Sequence, residues 1–358
     1  GHRTVFAKLK QGDFTWWAPV NIDVEEPVKI VAEQEQTQNG LSVTLKNQGV
    51  AVAGKLLVNK GNNASSKALD IPANGSVEIQ IPASSVASGT NLVRFEYGNG
   101  HFVEQNIINW NVVPVAGSEW RKIDLSAAYN DQVTNIFKNK YMSPRPASPT
   151  LQLPLQGIGN WCYPLTTANI DDTGLRSVAG SKNEFSIPNG VSFLTPSDPA
   201  KKNIVFTSQW DNYPDSVSIP LNGRSSHAYL LMAGSTNPMQ SRLDNGEVLI
   251  SYTDGTSERL ALRNPETWWP IEQDYYVDGF AFTTDYPRPY RVNLKTAEVS
   301  RQFKKYYGIK GFSSYAIDGG AATVLDLPLN PTKELKELKL KTLANDVVIG
   351  LMSVTLQR

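Results

Sequence analysis

The sequence is short of the residues that most metal and catalytic centres use. Of 358 residues only one is cysteine, Cys162, and three are histidine, at positions 2, 101 and 227. A single cysteine excludes an internal disulfide framework and a zinc site built from several thiolates. The histidines lack metal-ligand spacing, and no Gly-x-Ser-x-Gly or His-Glu-x-x-His motif occurs. Hydrolysis by a serine triad or by zinc therefore has no support in the sequence.

The chain also lacks an excess of either charge and any long apolar run. Lys+Arg and Asp+Glu number 34 each, so the long-range field that attracts nucleic acid or anionic membranes is absent. No apolar run approaches the roughly 20 residues that span a bilayer, so we expect no membrane insertion. With 26 Gly and 22 Pro and only 19% charged residues, the composition is typical of turn-rich β structure.

Apolar and polar residues alternate along much of the chain, which predicts an all-β fold. In the first third the alternating runs are Leu41–Leu45, Val77–Ile81 and Val93–Tyr97, punctuated by the Asn-Gly pairs at 39–40, 74–75 and 99–100. We predict an immunoglobulin-like β-sandwich over residues 27–115. Residues 1–26, which include Trp16 and Trp17, are predicted to be a linker or an edge strand from an upstream domain.

Residues 118–358 are predicted to form a larger jelly-roll, galactose-binding-like β-sandwich with one short helix. The helix is expected to begin at Ser126 and to bury Tyr129, Val133, Phe137 and Tyr141 on one face. Strands follow from Ile204 onward. The Lys333–Lys341 run, in which Leu338 and Leu340 alternate with charged residues, is interpreted as a strand rather than a helix.

Aromatic and polar side chains are concentrated in the segments between these strands. Aromatic rings stack on the C–H faces of sugars while amides, carboxylates and guanidinium groups bind the hydroxyls. This gives a candidate ligand-binding set of Trp161, Arg176, Trp210, Asp211, Asn212, Arg242, Trp268, Trp269, Glu272 and Asp274, with Tyr275 and Tyr276 beside it. The alternative is that these rings pack in the core.

Paired carboxylates allow two further hypotheses. Asp171/Asp172, Asp211/Asp215 and Glu272/Asp274 could each supply the acid and base of a glycosidase. Asp171 and Asp172 could instead hold a structural calcium ion, which oxygen ligands favour. No other cofactor is expected.

Eight motifs in the second domain carry a family resemblance. They are Asp124-Leu-Ser126, Asn130-Asp-Gln-Val-Thr-Asn-Ile-Phe137, Ser143-Pro-Arg-Pro146, Gly157-Ile-Gly-Asn-Trp-Cys162, Ile170-Asp-Asp-Thr-Gly-Leu-Arg176, Ser208-Gln-Trp-Asp-Asn-Tyr-Pro214, Leu231-Met-Ala-Gly-Ser-Thr-Asn-Pro-Met-Gln240 and Asn264-Pro-Glu-Thr-Trp-Trp-Pro-Ile-Glu-Gln-Asp274. Together they resemble the C-terminal region of large bacterial proteins of unknown function that occur in gut polysaccharide degraders. In that family an upstream six-hairpin, (α/α)-barrel region is the suspected glycosidase.

The resemblance implies an exported protein, periplasmic or on the cell surface, in which this chain is an accessory region beside an upstream catalytic domain. The chain begins at Gly1 without an initiator Met, and we expect it to be a piece of a longer polypeptide. Three functions remain open at this point. They are carbohydrate binding through the loop aromatics, purely structural support of the upstream domain, and glycoside hydrolysis by the chain itself.

Overall fold

The computed structural model describes residues 2–23, 25–33, 36–59, 65–113, 119–141, 169–236, 241–274, 284, 286–303, 317–345 and 347–358. Over these residues the protein is all-β, with two β-sandwiches, an N-terminal hairpin and one short α-helix. Several predicted features lie outside the described residues, namely Trp161, Cys162, Tyr275, Tyr276, the proline-rich stretch 142–149 and part of the interdomain segment at 114–118.

The N-terminal residues form a hairpin of two ten-residue strands, β1 (His2–Gln11) and β2 (Phe14–Asp23). Gly12 provides, at a φ of 60°, the positive φ that a two-residue turn needs. The two strands make a sheet of their own and pair with no other described strand. The region predicted as a linker or a single edge strand is therefore a separate two-stranded element.

Seven strands build the first sandwich. They are β3 (Val28–Ala32), β4 (Gly40–Asn47), β5 (Val52–Val58), β6 (Ser65–Ile71), β7 (Ser76–Pro82), β8 (Gly89–Tyr97) and β9 (His101–Asn109). One sheet has the order β3-β4-β7 and the other β6-β5-β8-β9, all antiparallel, as in an immunoglobulin-like fold. The alternation in β4 and β8 puts Leu41, Val43, Val93 and Phe95 into a common core, as their spacing predicts.

The second sandwich is larger. Its strands are β10 (Trp120–Ile123), β11 (Glu184–Ser186), β12 (Ser192–Leu194), β13 (Val205–Ser208), β14 (Ser216–Pro220), β15 (His227–Gly234), β16 (Asp244–Tyr252), β17 (Ser257–Arg263), β18 (Arg291–Asn293), β19 (Val299–Ser300), β20 (Ala321–Pro328), β21 (Leu335–Thr342) and β22 (Val348–Gln357). A seven-stranded sheet has the order β10-β22-β15-β20-β18-β19, with β13 also pairing with β22. A four-stranded sheet has the order β14-β21-β16-β17, and β11 and β12 form a hairpin.

The seven-stranded sheet is covered on both faces, and this explains its sequence. One face packs against the four-stranded sheet through Leu230, Leu325 and Leu340. The other face, with Tyr229 and Val324, packs under connecting segments that contribute Trp210 and other large side chains. A strand buried on two faces gains nothing from polar alternation, so β15 and β22 are almost continuously apolar.

The predicted helix after Ser126 is wrong. Residues 126–141 form turns and a short 3-10 helix at Val133–Asn135, and the α-helix of the described chain is α1 (Thr173–Ala179). Asn130 uses its amide to bond both the N–H and the carbonyl of Phe206, and Asp131 makes a β-bridge with Ile204. Asn and Asp side chains that bond backbone groups compete with helix formation, and here that competition prevails over the apolar spacing.

The strand predicted for the Lys333–Lys341 run is confirmed. The run falls in β21, where Leu338 and Leu340 are buried and Lys339 between them is more exposed. Its charged residues therefore mark the outer face of an antiparallel sheet, as the period of two predicts.

Replacing Leu230 by alanine should lower the free energy of unfolding by about 2 to 5 kcal/mol, because the side chain is fully buried between the two sheets. The same truncation at Val178, which is 59% exposed on α1, should change stability little. Urea unfolding of both variants measures the difference, and equal costs would contradict the packing described.

Candidate functional site

Three of the tryptophans predicted to bind a ligand are buried. Trp210, Trp268 and Trp269 are 3%, 1% and 6% exposed, respectively. The Trp210 Nε1 donates to the carbonyl of Asn345 at 2.7 Å, and the Trp268 Nε1 to that of Ser235 at 3.2 Å. Trp210 belongs to the apolar cluster on one face of the seven-stranded sheet and the other two to the cluster on the opposite face. In this arrangement they offer no common stacking platform.

The polar members of the predicted set are spread over several places. Asp211 is exposed, and Asn212 donates its amide to the carbonyl of Lys140 at 3.0 Å. Arg242 is exposed at a φ of 60°, with its N–H bonded to the carbonyl of Asn264. Trp161 lies outside the described residues. The structure therefore does not bring these residues together into one described site.

Arg176 and Asp172 form a buried structural pair at the start of α1. The Arg176 Nε donates to Asp172 Oδ2 at 2.9 Å, and Asn203 donates to the same oxygen at 2.8 Å. The guanidinium group also donates to three backbone carbonyls, those of Pro196, Asp198 and Lys201. This network ties the start of the helix to the segment before β13.

The neighbouring Asp171 bonds the first residue of α1, Thr173. Its Oδ1 accepts from the N–H and the hydroxyl of Thr173. Among the described residues no group of three carboxylate, histidine or cysteine side chains is arranged to hold a metal ion. A guanidinium group against Asp172 does not favour a cation there, and the calcium site stays a prediction.

Glu272 and Asp274 lie in a buried charged cluster with Arg291. All three side chains are shielded from solvent, and neither Glu272 carboxyl oxygen has a hydrogen-bond partner among the described residues. Burial raises the pKa of Glu272 to about 8, against a smaller opposing effect of Arg291. Glu272 therefore carries its proton at neutral pH.

Arg291 and Asp274 are held by backbone groups around Glu272. Arg291 donates to the carbonyls of Pro270 and Ala321 at 2.8 and 2.9 Å, and also to that of Gln273. Asp274 Oδ2 accepts the N–H of Phe303 at 3.0 Å, and its Oδ1 lies 3.9 Å from the Arg291 guanidinium. The cluster has the acid and carboxylate that a glycosidase needs, but its burial leaves a glycan no access in this conformation.

The contact between the two sandwiches was not foreseen from the sequence. The Asp326 carboxylate accepts the Thr90 N–H at 2.6 Å and the Thr90 hydroxyl at 3.1 Å. The His227 Nε2 lies 2.7 Å from Asp326 Oδ2, and its ring stacks on Tyr229. We call Asp326, His227 and Thr90 the interdomain latch. From the sequence, His227 is one of three histidines, and no interaction partner could be predicted for it.

Further bonds support the latch. The Tyr229 hydroxyl donates to the carbonyl of Ser88 at 2.9 Å, and Asn189 donates to the Ser88 hydroxyl. Gly89, at a φ of 98°, lies so close to Asp326 that a Cβ there would be 2.6 Å from its Oδ2. The close approach of the two domains therefore depends on glycine at this position.

A groove starts at the latch and continues over the first sandwich. Its first hollow, of about 740 Å³, lies between the domains, with Thr90, Asn106, Arg259, Tyr286 and Asp326 in its lining. A second, of about 640 Å³, shares Asn106 and Arg259 with the first. A third, of about 380 Å³, shares Arg94 and Glu96 with the second. We call the three hollows together the junction groove.

The hairpin carries a second exposed surface of a different kind. Because β1 and β2 pair Val5 with Val20 and Leu9 with Trp16, these residues share one face of the hairpin. The apolar residues on that face, which we call the apolar hairpin face, are Val5, Ala7, Leu9, Phe14, Trp16, Ala18, Val20 and Ile22. Arg3 lies at the open end of the same face and Gln11 beside the turn. Phe14 is 80% exposed and Trp16 46%, and none of the set joins an apolar core of the described residues.

Removing the latch carboxylate with Asp326→Ala should lower the free energy of unfolding by about 3 to 5 kcal/mol, because the Thr90 N–H and the buried His227 lose their partner. The control is Asp318→Ala, which breaks an exposed pair with Lys295 and should cost at most about 1 kcal/mol. Urea unfolding gives both values. Small-angle scattering should also detect looser packing of the domains only in Asp326→Ala.

Glu272 makes stability depend on pH with a defined sign. The folded state holds its proton up to about pH 8 while the unfolded chain releases it near 4.5, so folding binds a proton in between. The free energy of unfolding therefore falls with rising pH in that window, by up to about 1.4 kcal/mol per pH unit. We expect the stability of Glu272→Gln relative to the wild type to increase across the window. Urea unfolding at several pH values tests this, with Glu119→Gln on the surface as control, and a difference independent of pH would refute it.

Comparisons of the sequence and the structure with known proteins add little to this description of the site. No family model matches the sequence, and no curated protein matches it. Within the described residues, no helix has the length and apolar character needed to cross a membrane. One solved structure to which the chain is similar is a cycloisomaltooligosaccharide glucanotransferase of Paenibacillus sp. complexed with cycloisomaltoheptaose. It has a TM-score of 0.18 and 8% identity, over 92% of this chain and 72% of that chain. A likeness at that TM-score carries no argument about function.

Proposed function

We propose that this chain is a non-catalytic accessory region of an exported, multidomain glycan-degrading protein, and that its main task is to hold a neighbouring domain of the same polypeptide. The observation that carries the proposal is the apolar hairpin face. The glycan context comes from the motif resemblance described above.

The hairpin needs a partner for energetic reasons. A two-stranded hairpin alone in water is marginally stable at best, because it has no second layer over its apolar residues. Between the Arg3–Ile22 pair at the open end and the turn, this face carries no charged residue, while Lys8 and Lys10 lie on the opposite face. Uncovered apolar surface of this kind is typical of an interaction site. The partner surface is therefore expected to be apolar as well.

A covalently linked domain is the occupant that we favour. Linkage converts docking into an intramolecular step with an effective concentration in about the millimolar range, so a small apolar surface suffices. A free partner of the same affinity would have to be abundant in solution. The upstream (α/α)-barrel region that the resemblance implies would satisfy this condition.

The two competing functions have less support. Carbohydrate binding through the loop aromatics would need exposed rings, and Trp210, Trp268 and Trp269 are in the cores. Glycoside hydrolysis would need carboxyl groups that a sugar can reach, and Glu272 and Asp274 are shielded from solvent. Structural support needs neither property.

The decisive variant is Trp16→Asp, which replaces the largest ring of the apolar hairpin face by a charge. When the preceding region of the polypeptide is produced separately, we expect it to bind this chain, and Trp16→Asp to weaken binding roughly 30-fold or more. Titration calorimetry measures both affinities. Thr15→Asp, on the opposite face of the same strand, is the matched control and should bind as the wild type does.

Two outcomes would contradict the proposal. One is the absence of binding by the separate preceding region to the wild-type chain. The other is dimerisation of the isolated chain that Trp16→Asp abolishes, since the occupant would then be a second copy. Sedimentation of the wild type and both variants distinguishes these results.

A further inference from the structure

We propose that the junction groove binds an extended, uncharged oligosaccharide. This adds a ligand-binding site to the proposed accessory role. The ligand class, neutral oligosaccharides, fits the context of a protein that degrades glycans. It rests on the proposed function only for that context, because the groove and the apolar hairpin face share no residue.

The shape of the groove fits a linear polymer. Ligand pockets of single small molecules have volumes of roughly 300 to 1,000 Å³ and enclose most of the ligand. Here hollows of about 740, 640 and 380 Å³ follow one another and share their lining residues. A chain of several sugar units can lie along such a path, whereas a compact metabolite would leave most of it empty.

The lining offers polar groups that the protein does not use itself. Gln105, Asn106 and Tyr286 line the first hollow, and among the described residues their side-chain amides and hydroxyl make no hydrogen bond. An amide both donates and accepts, as a sugar hydroxyl does, so each can bind a hydroxyl without a change of protonation. Gln105 and Asn106 are neighbours in β9, so their side chains leave the strand in opposite directions and border the hollow at different places. Polar groups of this kind are typical of a site for a polyhydroxylated ligand.

The two arginines of the first hollow are paired with carboxylates of the neighbouring strand β16. Arg259 donates to Glu247 and Asp244 at 2.7 and 2.6 Å, and Arg263 donates to Asp244. Both guanidinium groups are neutralised and held in place, with further N–H groups left for a ligand. Since no excess of positive charge remains, a nucleic acid or a polyanionic glycan is a poor fit and a neutral chain a good one.

Exposed aromatic rings complete the site. Tyr286 is 43% exposed at the interdomain end of the groove. Phe102, also 43% exposed, lies beside the other end, where the Arg94 guanidinium covers one face of its ring at 3.7 Å. The C–H faces of sugar rings stack on such rings, and the amphipathic Tyr286 adds its hydroxyl to the contact.

An extended peptide is the other ligand with this shape. Peptides bind by adding a strand to a free sheet edge or by filling apolar pockets with their side chains. The second and third hollows follow the outer face of β8 and β9, where Arg94, Glu96, Glu104 and Asn106 give a polar surface. The first hollow borders β9 and β17, which are edge strands of their sheets. The polar outer face favours the oligosaccharide, and binding of a peptide at the strand edges becomes an outcome of the test.

The test is affinity gel electrophoresis of the whole chain in gels containing dextran, mannan, xylan, galactan, arabinan or a mixed-linkage β-glucan, followed by calorimetry with oligosaccharides of the retarding polymer. We expect at least one neutral polymer to retard the wild type. Tyr286→Ala and Asn106→Ala should each raise the Kd by roughly tenfold.

Matched controls separate groove effects from general ones. Trp17→Ala removes an exposed aromatic ring and Asn222→Ala an exposed amide, both outside the groove, and neither should change the Kd. Thermal melting of all four variants verifies that they fold. Tyr286→Ala and Asn106→Ala alter exposed side chains only, so their melting temperatures should equal that of the wild type.

Three results would overturn the inference. They are the lack of retardation in every gel, retardation that both groove variants retain, and binding of an unstructured peptide in place of any glycan. Trp16→Asp should bind the glycan as well as the wild type does. Failure of the groove and failure of the docking proposal are thus observed separately.

Discussion

The relation between the two halves of this protein depends on one buried carboxylate. Asp326 lies on the central sheet of the second sandwich and accepts two hydrogen bonds from Thr90 of the first, while its Oδ2 is also 2.7 Å from His227. Burying a carboxylate is unfavourable unless its oxygens are fully paired, so the domains must meet in one relative position to satisfy it. Gly89 permits the approach because no Cβ would fit beside the carboxylate. The first hollow of the junction groove exists only in that relative position, since Thr90 and Asp326 line it together.

A second constraint explains why the tryptophans of the described motif segments are buried. The seven-stranded sheet is apolar on both faces, and the four-stranded sheet covers only one of them. The connecting segments must cover the other, and they do so with Trp210, Tyr213 and Ile271. Polar residues in these segments then serve the backbone, as Arg176 does with three carbonyls. The mixture of aromatic and polar residues that resembles a sugar site is here largely the composition of a covering layer.

The covering layer is also the part of the fold that could not be predicted from the sequence. The period of two identified β4, β8 and β21 because one face of each is buried and the other faces solvent, a local property. The helix expected after Ser126 failed because Asn130 bonds Phe206, a partner that the local spacing does not reveal. At the candidate site, the sequence identified Glu272 and Asp274 as a pair of carboxyl groups. It could not show that they are buried, because their burial depends on how the whole domain folds around them. The latch joins residues 236 positions apart, and no local pattern brings Thr90 and Asp326 together.

A rigid junction has a direct consequence for a ligand that touches both domains. If the domains moved freely, binding would have to immobilise them, and that entropic cost would reduce the affinity. The latch and the contact of Trp110 with Tyr290 restrict this motion during folding, before any ligand arrives. Arg259 and Arg263 are likewise held by Asp244 in the absence of ligand. The groove is therefore organised in advance, so weak contacts with successive hydroxyl groups can add up along an extended chain.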